Sequence, residues 1–191
     1  TQIAYATYSD WDSTYYNYII VIYDQRRGLL RFQPIGHISE NDDSDIDWFP
    51  TLRFSPGGSI LVSAGNGDGL VKIWDYNTTG YHLQLQQWNI GQELDADISS
   101  ENLEFDISPC SRYVVVLSGR HVLLKDVQNN GKTIKSVLLP ENEIGYNIMF
   151  SDNDGHAFIL ISCWDEEVDD GNTIIKTWYL HDFDDEGDGP N

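Results

Sequence analysis

The stretch from Gly36 to Asp75, GHISENDDSDIDWFPTLRFSPGGSILVSAGNGDGLVKIWD, decides how the chain folds. A Gly-His pair opens it and a Trp-Asp pair closes it. Between them stand three strand-like runs, Thr51–Ser55, Ser59–Ala64 and Gly69–Trp74. Pro56-Gly57-Gly58 and Asn66-Gly67-Asp68-Gly69 separate the runs, and both are turn signals because glycine tolerates positive φ. Val71 and Ile73 alternate with Lys72 and Trp74, which predicts a half-buried strand with two unlike faces. A fourth run, His82–Gln87, follows the turn Asn77-Thr78-Thr79-Gly80. Four short antiparallel strands joined by tight turns make one blade of a β-propeller.

The landmarks recur. Tyr23-Asp24, Trp74-Asp75, Lys125-Asp126 and Trp178-Tyr179 each end a comparable β-run. Phe54-Ser55-Pro56, Ile107-Ser108-Pro109 and Phe150-Ser151-Asp152 each end a first strand. A period of about 50 residues, carrying four strands, marks blades rather than helical repeats. Gln2–Tyr8, Tyr16–Tyr23 and Leu29–Gln33 are expected as second, third and fourth strands of a blade without its innermost strand. Leu103–Ile107, Arg112–Ser118, His121–Asp126 and Lys135–Leu139 complete a further blade. The apolar run Tyr113–Leu117 within it suits a strand covered on both faces. Tyr146–Phe150, Ala157–Cys163 and Thr173–Tyr179 form another blade, without an outermost strand. No segment carries a helical period, so the fold class is all-β. Residues 1–181 read as a partial propeller with blades near 1–36, 37–90, 91–140 and 141–181, followed by an acidic tail over 182–191.

The Gly36–Asp75 stretch resembles the WD-repeat family. By that resemblance His37, Ser63, Asp68 and Trp74 match the family's structural hydrogen-bond tetrad, which ties the inner loops of a blade to its third strand. Ser63 fits with a second-to-third loop one residue longer than usual. Such a tetrad stabilises a blade and performs no chemistry. Tyr23 and Lys125 in place of Trp, and Tyr179 in place of Asp, depart from the family's motif, so those blades are assigned by period. WD-repeat propellers usually have about seven blades, so the resemblance implies an arc of some three and a half blades. Further blades would come from the same parent chain or another one.

Charge narrows the function. Thirty-one acidic residues face 11 basic ones, a net charge of -20. Binding to nucleic acid or to an anionic membrane draws on basic surface, so neither is expected. Sorting loops by blade geometry gathers Asp10, Asp12, Glu40 to Asp47, Asp68, Glu93 to Glu101, Glu141, Glu143 and Asp165 to Asp170 on one rim. Arg26, Arg27 and Lys132 fall on the other. An acidic rim that docks a basic segment of a partner protein is the expectation. Asp10, Trp11, Asp12, Asp42, Asp43, Asp45, Asp165 and Glu166 are the candidate contacts, Trp11 because tryptophan is enriched at interface hot spots. Solvated polar loops produce the same composition.

Chemistry finds little support. Gly131-Lys132-Thr133 ends like a phosphate-binding loop but has Asp126 where that motif needs glycine, and Asn129-Asn130-Gly131 reads as a hairpin turn. Asp184, Glu186, Asp188 and Gly189 copy the opening of a calcium loop without its distal glutamate. No histidine or cysteine pair has zinc-ligand spacing, and there is no HExxH or GxSxG. No catalytic residue, metal or cofactor is expected. Cys110 and Cys163 lie in unlike settings, which points away from a disulfide framework and toward an intracellular compartment. No apolar run reaches about 18 residues, the length of a membrane span. The reading is a non-catalytic scaffold or adaptor. Alternatives are a ligand-sensing propeller of a larger signalling ATPase and a propeller hydrolase or lectin.

Overall fold

A computed structural model of the chain describes residues 2–11, 15–25, 29–40, 50–75, 84–94, 103–153, 156–165 and 173–179. They form two compact units, Thr1–Leu103 and Glu104–Asn191.

In the first unit, β1 (Gln2–Trp11), β2 (Tyr15–Asp24) and β3 (Leu29–Glu40) form an antiparallel sheet in chain order. A four-stranded sheet follows, with β4 (Thr51–Phe54), β5 (Ile60–Gly65), β6 (Leu70–Asp75) and β7 (Gln84–Asn89), again in chain order. Its first two hairpins turn where Gly58 (φ 68°) and Gly69 (φ 62°) adopt left-handed backbone, which a side chain would strain. The Gly69 N–H closes the β5–β6 turn on the Gly65 carbonyl at 2.9 Å. After β7 comes a five-residue helix, α1 (Ile90–Leu94), capped by the Asn89 side chain, which accepts from the Gln92 N–H at 2.8 Å. The sequence reading expected no helix. One of little more than a turn is too short to leave a period in the sequence.

The two sheets share a core. Ile20 and Ile22 of β2 pack with Leu61 of β5 and Trp74 of β6, bordered by Ala4, Leu52 and Phe54. Burying each large apolar side chain contributes about 1.5–3 kcal/mol. Strand β6 departs from the half-buried expectation, because Val71, Lys72, Ile73 and Trp74 are all buried. Lys72 stands opposite Ser63, and the neighbouring Asp68 carboxylate offsets its charge. Strand β3 also runs further than expected. His37 lies inside it, paired with Tyr18 of β2, rather than opening the next blade. Strand β7 ends at Asn89 instead of Gln87. In both cases pairing to a neighbouring strand, more than local propensity, sets the boundary.

The second unit holds a four-stranded sheet from β8 (Leu103–Ile107), β9 (Tyr113–Ser118), β10 (His121–Asp126) and β11 (Lys132–Leu138). A three-stranded sheet follows, with β12 (Glu143–Asn153), β13 (His156–Asp165) and β14 (Thr173–Tyr179). Val115, Leu117, Val122 and Leu124 of the first sheet pack with Leu139, with Ile148 of β12 and with Ile161 of β13. Val114 and Val116 alternate with these and are equally buried, so β9 is covered on both faces. Between β10 and β11 the chain makes a 3-10 turn, Val127–Asn129, then left-handed Asn130 (φ 53°) and Gly131 (φ 70°). Gly131-Lys132-Thr133 is therefore part of a hairpin. Among the described residues, sheets of three, four, four and three strands succeed one another along the chain.

Candidate functional site

The β5–β6 turn builds a polar hub in the first unit. Four residues, Asn66 to Gly69, separate the strands, which leaves room for Asp68 to fold back. Its Oδ1 accepts from the Leu70 N–H at 3.1 Å, a local bond that aims the carboxylate. Both carboxylate oxygens lie 3.0 Å from His37 Nδ1. On the far side of the ring, Nε2 lies 2.7 Å from Ser63 Oγ, which also accepts from Trp74 Nε1 at 2.9 Å. The structure thus brings His37, Ser63, Asp68 and Trp74 together.

The directions of the bonds follow from the inventory of donors. A carboxylate only accepts, so His37 Nδ1 carries the ring proton. Nε2 is then an acceptor and takes the single Ser63 hydroxyl hydrogen, while the Ser63 oxygen takes the indole N–H. Each group depends on its neighbours having the complementary role. Burial is nearly complete: Ser63 is 0% exposed, His37 1% and Trp74 3%. That burial pushes the imidazole below its usual range, outweighing the hydrogen bond and charge of Asp68, which pull it up; Lys72 adds to the lowering. Burial likewise lowers Lys72, with Asp68 partly offsetting it.

Gly65 makes the hub possible. A Cβ built there would fall on the Asp68 carboxylate and on His37 Nδ1, inside the bond between them. Its φ is not left-handed, so the requirement is space alone. Nothing in the sequence signals this role of Gly65. Spacing signals which residues bend the chain, but not what a missing side chain makes room for.

Serine, imidazole and carboxylate in this order are the parts of an acyl-transfer triad. Here the serine is sealed, and its oxygen is occupied by the Trp74 N–H. A nucleophile must reach a substrate, so the arrangement is a joint between β3 and the second sheet. Among the described residues, no group of three or more His, Cys, Asp or Glu converges to hold a metal. No helix of the described residues is long and apolar enough to cross a membrane.

The corresponding positions in the second unit carry different chemistry. Where Ser63 faces Lys72 across β5 and β6, Val116 faces Leu123 across β9 and β10. Lys125 takes the place of Trp74, and its Nζ donates to Thr133 Oγ1 at 2.8 Å. The β9–β10 turn is only Gly119-Arg120, too short to supply an aspartate. Arg120 instead donates to the Leu139 carbonyl from Nη2 at 2.8 Å and to the Pro140 carbonyl from Nε at 3.0 Å. The Gly145 N–H bonds the Gly119 carbonyl at 2.9 Å, and Asp106 accepts from the Phe150 N–H at 2.8 Å. Asp126 meets Arg112 Nη2 at 3.0 Å. Burial pushes the Asp126 carboxyl up, yet the Arg112 guanidinium and the Gln128 and Asn129 N–H groups outweigh it and hold it below its usual range. Arg120 and Gly145 had no signal in the sequence, since their partners are main-chain groups.

Of the candidate partner contacts, Asp10 and Trp11 end β1 opposite Asn17 and Tyr16, and Asp165 ends β13 opposite Glu143. Asp12, Asp42, Asp43, Asp45 and Glu166 lie outside the described residues. Two acids expected on the same rim do not serve there as free charges. Asp68 turns inward to His37, and Glu143 is buried against the Lys176 ammonium. Asp68 accepts from buried His37, and Glu143 is itself buried beside half-buried Lys176, roles that a count of loop acids does not distinguish.

No protein-family model matches the chain, and no curated protein resembles it in sequence. Solved structures are similar in fold. KlAtg21, in its complex with the coiled coil of AgAtg16, is 12% identical over 93% of this chain and 54% of that one, with a TM-score of 0.59. The dihydro-heme d1 dehydrogenase NirN, in complex with DHE, is 14% identical over 86% and 33%, with a TM-score of 0.53. The Cps50 (Swd1) β-propeller domain of Myceliophteria thermophila is 22% identical over 71% and 40%, with a TM-score of 0.44. Identities this low speak for fold alone. The chain is an all-β protein of the β-propeller class, and β1 to β14 make about three and a half four-stranded blades. It spans between 33% and 54% of the length of these solved chains.

Proposed function

We propose that the chain is a WD-repeat-type propeller segment that works as a non-catalytic scaffold, docking a basic segment of a partner protein on its acidic loops. The sealed hub carries the reading. The constellation most like a hydrolase's has its serine 0% exposed and its oxygen occupied, so it supports architecture in place of turnover. The WD-repeat assignment rests on the same four side chains, His37, Ser63, Asp68 and Trp74. A net charge of -20 favours a basic partner, whose encounter a focused potential speeds. KlAtg21, of similar fold, was solved on a coiled coil, which supports a protein as the partner. The fold is shared with a dehydrogenase, so the reading leans on the hub and the charge.

The test replaces Asp42, Asp43 and Asp45 together by lysine and titrates a fluorescent oligo-arginine peptide at about 50 and 200 mM salt. Wild type is expected to bind more tightly at the lower salt. The triple variant is expected to bind at least about tenfold more weakly and with a flatter salt slope. Unchanged affinity and slope discard the acidic docking surface. Turnover of ester substrates or binding to a glycan array would replace the scaffold reading by the hydrolase or lectin one.

A further inference from the structure

The hub is also a place where one proton decides a contact between two sheets. His37 belongs to β3, while Ser63, Asp68 and Trp74 belong to β5, the β5–β6 turn and β6. Its hydrogen-bond chain closes only with a neutral ring, because Nε2 must accept the Ser63 hydrogen at 2.7 Å. A protonated ring presents a second N–H to the Ser63 oxygen, which already holds the Trp74 N–H at 2.9 Å. The Ser63 hydrogen then loses its acceptor at a site that is 0% exposed. An unsatisfied buried polar group costs about 1–3 kcal/mol, large against the stability of a domain.

The charged groups facing the ring set the balance. Asp68, on the turn, favours the protonated form, and Lys72, on β6, opposes it. Tyr18 of β2 pairs with His37 across the strands and is 2% exposed. The Lys72 side chain is itself buried, so water screens its repulsion weakly. Both geometry and electrostatics therefore favour the neutral imidazole.

We propose that the His37 hub is an acid-sensitive joint: the neutral ring locks β3 to the β4–β7 sheet, and protonation in mild acid loosens the first unit while the second stays closed. At its corresponding strand positions the second unit has Val116 and Leu123, which do not titrate. Ordinary carboxylates protonate near pH 4, below this range, so they leave the two units alike. Such a joint would let a mildly acidic compartment change one face of the protein without unfolding the rest.

Hydrogen–deuterium exchange of the whole chain, corrected for intrinsic rate, tests this at about pH 7.5 and pH 5. Peptides over 18–23, 61–65 and 70–74 are expected to lose protection below about pH 6.5, by up to about tenfold per pH unit, as uptake of one proton dictates. Peptides over 114–117 and 122–125 are expected to hold theirs. His37→Gln should abolish the pH dependence of the first unit. Where that variant does not fold, Lys72→Met carries the test, because removing the opposing charge should shrink the acid loss. Equal loss in both units, no loss in the first, or an acid response indifferent to these substitutions overturns the proposal.

Discussion

Between β3 and the second sheet of the first unit runs a chain of polar groups, from half-buried Asp68 through buried His37 and Ser63 to Trp74. At the matching strand positions of the second unit stand Val116, Leu123 and Lys125, and Arg120 bonds main-chain carbonyls instead. The first joint is directional: each donor has one acceptor, and losing any member strands its neighbours without water. The second rests on side-chain packing and on main-chain bonds, which survive most substitutions. Turn length separates them. A four-residue turn lets Asp68 reach back, and a two-residue turn does not. The polar joint is thus the more specific of the two and the easier to break.

Removing the largest shared side chain should show the difference most strongly. Trp74→Ala leaves a cavity in the first core and strips Ser63 of its donor, and should cost about 3–5 kcal/mol by chemical denaturation. Lys125→Ala, at the matching position, loses the Thr133 bond and should cost about 1–2 kcal/mol. Equal costs would break the comparison.

Two glycines offer the next contrast. Gly65→Ala forces apart the His37–Asp68 bond and should cost about 2–3 kcal/mol, read as lost protection in β5 and β6. Gly145→Ala meets the Leu117 methyls, 2.6 Å away at the nearest, within a packed apolar core. That side chain can turn aside, so about 1–2 kcal/mol is expected. A larger cost at Gly145 would place the tighter joint in the second unit.

Ser63→Val copies the second unit into the first. It leaves the Trp74 N–H and His37 Nε2 without their partner and should cost about 1–3 kcal/mol in thermal denaturation, despite the added methyl groups. A neutral result would mean that the polar chain contributes nothing beyond filling space.

The smallest effect concerns strong acid. The Asp126 carboxyl is held below its usual range, so it stabilises the second unit above the ordinary carboxylate value of about 4. That contribution is lost as pH falls below about 4 and through the lowered value, because the unfolded chain then binds the proton first. Arg112→Gln should reduce this acid dependence slightly while leaving the first unit's behaviour between pH 5 and pH 7 unchanged. A circular-dichroism acid titration of both proteins would sharpen the distinction or remove it.

Several features were legible in the residues themselves. Pro56-Gly57-Gly58, Asn66 to Gly69 and Asn130-Gly131 punctuate the chain where hairpins turn, because positive φ is a local demand. Runs such as Tyr113–Leu117 disclosed strands covered on both faces, and resemblance to a known repeat motif named the four members of the hub, Ser63 with a loop one residue longer than usual. Lys72 was misread. Alternation assigned it to a wet face, but it is buried in β6, where the charge of Asp68 partly offsets the cost. Asp68 and Glu143 were counted as rim acids, although Asp68 accepts from buried His37 and Glu143 is itself buried against Lys176.

The sequence by itself determined the strands, their turns and the recurring blade-sized period, since hydrophobic alternation and glycine conformation act over a few residues. Only the tertiary structure decided which charges are spent inside, why position 65 is a glycine, and which side chain answers which across two sheets. Those facts depend on distances between residues remote in the chain. Hydrogen bonds and ion pairs are short-ranged and directional, so a spacing can name their partners but not show that they meet.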